Sequence, residues 1–269
     1  MTGAVFIHTL KRNWRSMLFW GIGIGLIAYL QVALLPNTDA LQQMADLMAT
    51  LPPVLIQAFG GDDVAAIATP EGYLSFRYFG FILIVFAVYA LNAGLNVTAT
   101  EEDKGILDVV LSQPLPRWRL VIEKLLAYGL LIAGIVILSF LGLWLGVAST
   151  PAFVIDTMKL LQGSVNLLPG SLLMLAATTL IAAVIRRRGT AAAIATMFLV
   201  SSYVLDFLGR TVSETFINTL SALSFFTYYD GGNVMQAGLN WSNVILLLAA
   251  TAVLTAGAVW AFQRRDIGV

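Results

Sequence analysis

Few side chains in this sequence could carry covalent chemistry, and their spacing argues against it. The 269 residues contain a single histidine, His8, and no cysteine. A two-histidine metal motif, a thiolate metal site and a disulfide are therefore excluded. Gly60-Gly61-Asp62 reads as a turn without the Lys-Ser/Thr ending of a phosphate-binding loop, and no G-x-x-x-x-G-K-[ST] occurs anywhere in the chain. The polypeptide does not bind ATP by that route. An intramembrane enzyme would need a nucleophile beside a base, or a carboxylate pair, inside its apolar segments. The deepest acid there is Asp206, near one end of its segment. His8 lies among interfacial residues, where contact with lipid headgroups is a simpler role than chemistry. Tyr89, Asn92 and Asn96 place polar groups on one face of an apolar segment. Such groups must find partners in lipid, so this face is expected to turn inward, either as packing glue between helices or as part of a substrate path.

What remains is the chemistry of docking, concentrated in residues 101–124, EEDKGILDVVLSQPLPRWRLVIEK. Thr100 and Asp103 have the spacing of a capping box, and Glu101, Glu102 and Asp103 put negative charge at the positive end of a helix dipole. Ile106, Val109 and Val110 fall at i, i+3 and i+4, flanked by Leu107 and Leu111, with Lys104, Asp108 and Ser112 on the other side. Pro114 and Pro116 end the helix, because each disfavours helical geometry in the residue before it. Arg117, Arg119 and Lys124 follow as a basic collar. By itself, such a helix could equally lie on a membrane surface without a protein partner.

The pattern resembles the first cytoplasmic loop of type-2 ABC transporter permeases. The matching positions are Glu102, Gly105, Leu107, Leu111, Pro114, Arg117 and Lys124: an acidic cluster, a glycine, spaced leucines, a proline, then basic residues at the mouth of the next span. A second anchor is the ending Phe262-Gln263-Arg264-Arg265-Asp266-Ile267, similar to the F-x-R-R-D-[IL] that follows the last span in that family. The resemblance implies an all-α permease in which this loop is a coupling helix seated in a separate ATP-hydrolysing subunit. Glu102, Gly105, Leu107, Val109, Val110, Leu111, Pro114 and Arg117 are then the expected coupling residues. It also implies two ATPase copies carrying ATP-Mg, a second permease copy or a related permease, and no cofactor in this chain.

Composition sets the frame for these residues. At 59% hydrophobic and 11% charged, with mean hydropathy +0.86, the chain is an integral membrane protein. Its formal net charge of zero gives no reason to expect a nucleic-acid partner. Six apolar runs over 18–35, 76–97, 125–147, 167–185, 190–208 and 241–262 form one membrane domain over 1–269. Residues 1–17 read as an interfacial helix before a retained first span, because the apolar run is too long for a signal peptide and no cleavage site follows. Gly21 and Gly25, and again Gly142 and Gly146, form weak G-x-x-x-G packing signals. Leu41, Met44, Leu47, Met48 and Leu51 suggest a short amphipathic helix before Pro52-Pro53. Pro169 is expected in the first turn of the fourth span, where proline is tolerated. Residues 209–240 carry apolar patches too short to cross a bilayer, and resemble the outer re-entrant segment of the same family.

Charge distribution orients the chain. Twelve of the fifteen Lys and Arg residues fall on the side of the 101–124 loop, and only Arg77, Lys159 and Arg210 on the other. The positive-inside rule then puts both termini, the loop and the Arg186-Arg187-Arg188 hairpin in the cytoplasm of a plasma-membrane protein. Topology alone accounts for the triple arginine without a phosphate ligand. The expected function is the membrane subunit of an ATP-driven exporter of a lipid-like or amphipathic drug-like compound. Alternatives are a permease-like subunit serving signalling or assembly of an external protein, or an ion-coupled secondary carrier. The carrier would normally show intramembrane carboxylates or paired broken helices, which are missing here.

Overall fold

The computed structural model describes residues 3–34, 38–50, 52, 68–98, 116–151, 153–185, 187–212 and 215–264. Among them every regular element is helical: α1 (Ala4–Ala33), α2 (Thr38–Ala49), α3 (Pro70–Leu95), α4 (Arg117–Ser149), α5 (Thr157–Val184), α6 (Arg188–Thr211), α7 (Thr215–Ser221), α8 (Phe225–Tyr229), α9 (Val234–Ala237) and α10 (Trp241–Gln263). Helices α1, α3, α4, α5, α6 and α10 are long and apolar enough to cross a membrane.

The first helix corrects the expected N-terminus. It runs 30 residues without a break, about 45 Å at 1.5 Å per residue, so the interfacial segment and the first span are one element. No proline interrupts it and its glycines are isolated, leaving nothing to stop helix propagation after residue 17. His8 is exposed on its outer surface. Helix α2 forms over the segment read as amphipathic, with Leu41 buried and Leu47 exposed.

The α1–α4 pair is the most extensive contact in the fold, and it unites the two glycine motifs. The helices run parallel in a four-residue ladder: Gly134 meets Met17, Gly21 meets Leu138, Gly142 meets Gly25, and Gly146 meets Tyr29. A methyl built on Gly142 would lie 2.0 Å from the Gly25 carbonyl oxygen, and one on Gly25 would lie 2.8 Å from that of Leu138. Only glycine lets two backbones approach this closely, which is how helices gain contact in lipid, where apolar surface alone drives no association.

Helices α5 and α3 form the centre, the most buried of the six spans. Helix α5 packs against α10, α3, α4 and α6. Its glycines receive large side chains of α3, with Phe79 against Gly163 and Leu83 against Gly170. The expected position of Pro169 is overturned. Asp156 caps the helix through the Met158 N–H at 3.0 Å, so Pro169 lies well inside α5. Polar residues made 157–166 look like a connection, but the fold gives two of them partners: Lys159 pairs with Glu71 at 3.1 Å and Asn166 donates to the Tyr229 carbonyl at 2.6 Å. Beside the proline, the Ser171 hydroxyl donates to the Leu167 carbonyl at 2.6 Å, one of the local adjustments that make proline tolerable in a span.

Helix α3 starts earlier than its apolar run, with Pro70 at its first position and the Thr69 hydroxyl accepting the Gly72 N–H at 3.1 Å. Ser75–Phe79 widen into a π turn. Around it, the Tyr78 hydroxyl hydrogen-bonds Ser139 Oγ on α4 at 2.5 Å, and the Tyr229 hydroxyl donates to the Phe79 carbonyl at 2.8 Å. Through this contact the short helices α7, α8 and α9 fold back onto the spans, burying Phe225, Phe226 and Tyr229. Asp206 on α6 accepts from Arg210 Nε and Thr227 Oγ1, both at 3.0 Å. It is a paired structural acid.

Candidate functional site

Of the residues singled out in the 101–124 loop, Glu102, Gly105, Leu107, Val109, Val110, Leu111 and Pro114 lie outside the described residues. Arg117 is the first residue of α4, after Pro116 in extended geometry. The two roots of the loop are described, and their geometry is informative. On one side α3 ends at Asn96, whose N–H caps the Asn92 and Ala93 carbonyls at 3.2 and 3.0 Å. On the other, α4 begins one residue after Pro116.

Lys124 links these roots. The sequence places it in a basic collar at the mouth of a span; it is only 5% exposed, and its ammonium donates to the Val97 carbonyl at 2.9 Å. A cation on a carbonyl just beyond a helix C-terminus is doubly favoured, as a charged donor and as a counter to the negative end of the dipole. The consequence is mechanical: the exit of α3 and the entry of α4 are held together.

Glu123 makes the second link. Its carboxylate accepts the backbone N–H of Gly3 at 3.2 Å and of Val5 and Phe6 at 3.1 Å each. These are among the N–H groups that a helix start leaves without an intrahelical partner. Helix α1 has no acid in its own first turn and no side-chain cap, so Glu123 serves as a cap supplied by another helix. Arg119 Nε holds the same carboxylate at 2.6 Å. Sequence reasoning missed this role, although two signals were present: an uncapped helix start, and one acid just before a long apolar run. Among the described residues, two polar atoms buried here have no hydrogen-bond partner, Arg119 Nη2 and Thr98 Oγ1.

The three residues expected on one inward face are not brought together. Tyr89 is buried, its ring edge-on to Trp20 at 5.7 Å between centroids. Asn92 instead faces outward and is exposed, its amide donating to the Val88 carbonyl at 2.9 Å. Asn96 is half-buried at the C-terminal cap. Within the single chain Asn92 lies on the exposed side because the burial boundary of α3 falls between Tyr89 and Asn92. Arg77, Val88 and Asn92 are the exposed residues of α3 from its π turn onward, and their spacing of eleven and four makes one narrow stripe.

This arrangement can transmit displacement and cap helices. Among the described residues no group of three or more His, Cys, Asp and Glu side chains could hold a metal. Comparison with known families matches residues 4–267 to one described as "ABC-2 family transporter protein". No curated protein matches the chain.

Proposed function

The chain belongs to the ABC-2 family of transporter proteins, over residues 4–267, and on that premise we propose that it couples a separate ATPase to export through its 101–124 loop. It is an integral membrane protein and the membrane subunit of an ABC transporter, and such permeases work with an ABC ATPase. The observation that supports coupling through this loop is the double tie at its roots. Lys124 binds the end of α3 to α4, and Glu123 binds the start of α1 to α4. A push on the loop therefore reaches three spans at once. Close packing along the α1–α4 ladder carries it onward as a rigid-body movement rather than a local bend, because tightly packed helices shift as units.

Two ATPase copies and a second permease, identical or related, complete the transporter. The exposed stripe of α3 is the surface offered to that second permease, since Asn92 is a polar group within its apolar half and gains most by facing protein or a hydrated path. The cargo is lipid-like or amphipathic and drug-like, in keeping with spans that hold few internal charges. Asp206 is already paired with Arg210 and Thr227, which disfavours an ion-coupled carrier.

Catalysis of ATP hydrolysis belongs to the partner. The purified chain is expected to release no phosphate from ATP-Mg, and hydrolysis should appear when a partner ABC ATPase is added. Turnover by the pure chain would refute the assignment. Both termini and the loop face the cytoplasm of a plasma-membrane protein, by the charge asymmetry of the chain. Because the chain has no cysteine, single substitutions report on this directly. In intact cells an impermeant thiol reagent should label Asn233→Cys and spare Gly189→Cys; the opposite pattern would invert the topology.

A further inference from the structure

At the end of the molecule remote from the 99–115 loop, α5, α9 and α10 enclose a crevice of about 350 Å³, within the size range of small-molecule sites. Its polar groups are Lys159 and Gln162 of α5 and Gln236 of α9; Trp241, the first residue of α10, closes one side. Gly238, at φ +79°, turns the chain between α9 and α10 in a conformation side chains rarely adopt. The crevice is thus a shaped feature of the backbone. We propose that it holds the phosphate-bearing headgroup of a membrane phospholipid.

Position, chemistry and continuity support this occupant. The crevice sits where two spans begin, at the depth where indole rings favour the membrane interface, and Trp241 is 67% exposed there. The Lys159 ammonium is half-exposed and, among the described residues, is held by one ion pair, with Glu71 at 3.1 Å. It therefore has donor capacity for a phosphate oxygen, since an ammonium carries three donors. The two carboxamides supply acceptors and donors for the alcohol or amine beyond the phosphate. Below the crevice the flanking helices keep exposed apolar residues, Val165 on α5 and Ile245 and Leu248 on α10. Polar crevice above and apolar residues below match headgroup and acyl chains in one molecule. A soluble phosphate compound would use the crevice and leave the apolar residues uncovered. The proposal concerns where a lipid sits and stands whether or not the 101–124 loop docks on an ATPase.

The test is native mass spectrometry of the intact chain released from detergent, titrated with phosphatidylethanolamine, phosphatidylglycerol or the phosphate-free galactosyl diacylglycerol. One phospholipid per chain should be retained in preference to the galactolipid. Retention should weaken about tenfold in Gln162→Leu and in Lys159→Met, the weight of one hydrogen bond to a charged group. Gln236→Ala alters an exposed side chain, so it should keep the melting temperature while lowering retention, and it decides the matter if the other variants fold poorly. Ser201→Ala, exposed on α6, should bind lipid as the parent does. Equal retention across all variants, equal binding of the galactolipid, or capture of free phosphoethanolamine as tight as that of the full lipid would each overturn the proposal.

Discussion

Replacing Gly142 by alanine is expected to lower the melting temperature of the purified protein by several degrees, while the same change at Gly23 leaves it unchanged or raises it. Both glycines sit inside long helices, so the intrinsic gain in helix propensity is the same, roughly 0.5–1 kcal/mol in favour of alanine. Their surroundings differ. The added methyl at Gly142 would sit 2.0 Å from a backbone oxygen of Gly25, whereas Gly23 has nothing within 4 Å. A backbone atom cannot rotate away as a side chain would, so α1 and α4 must separate by an ångström or more. Separation loosens a ladder that spans four contacts, and overpacking of this kind costs about 1–3 kcal/mol and sometimes more. In lipid no hydrophobic term draws the helices back together. Thermal denaturation of the two variants side by side is the measurement. Equal melting temperatures would mean that the close approach of α1 and α4 carries no stability.

The second large effect is expected at the loop. Val109→Asp, Val110→Asp or Leu111→Asp should abolish co-purification of the partner ATPase, while Ser112→Asp on the polar side keeps it. The pattern of residues 101–112 puts five apolar side chains on one side of a helix outside the membrane, more than a solvated loop helix needs. If that side is buried against the ATPase, an unpaired charge there costs several kcal/mol, and about 4 kcal/mol corresponds to roughly a thousandfold in affinity. Membrane insertion should survive in every variant, because no span is touched. Pull-down of the ATPase with each purified variant reads the outcome. Should the apolar-side and polar-side variants retain it equally, with transport unchanged, the loop is not the docking element.

Much of the architecture was legible residue by residue. In a bilayer each spanning segment must satisfy its own backbone, so length and hydropathy of a local run suffice to locate a span. Each of the six runs overlaps one of the six long apolar helices of the structure. Helix ends were less legible, because the polar residues that seemed to close a span are satisfied by distant partners: Lys159 by Glu71, Asn166 by the Tyr229 carbonyl. For the same reason Pro169 looked like a first-turn residue and is an interior one.

Membrane class, the number of spans and the charge asymmetry were determined by the sequence alone, since each depends on neighbours within a turn or two, or on counting along the chain. The pairing of the two glycine motifs with each other, the burial of Lys124, the capping of α1 by Glu123 and the outward turn of Asn92 were decided only by the tertiary structure. Each depends on which helix comes to lie beside which. The α1–α4 ladder joins residues 117 positions apart, a separation at which no local periodicity carries information, and the register is chosen by where two backbones can touch.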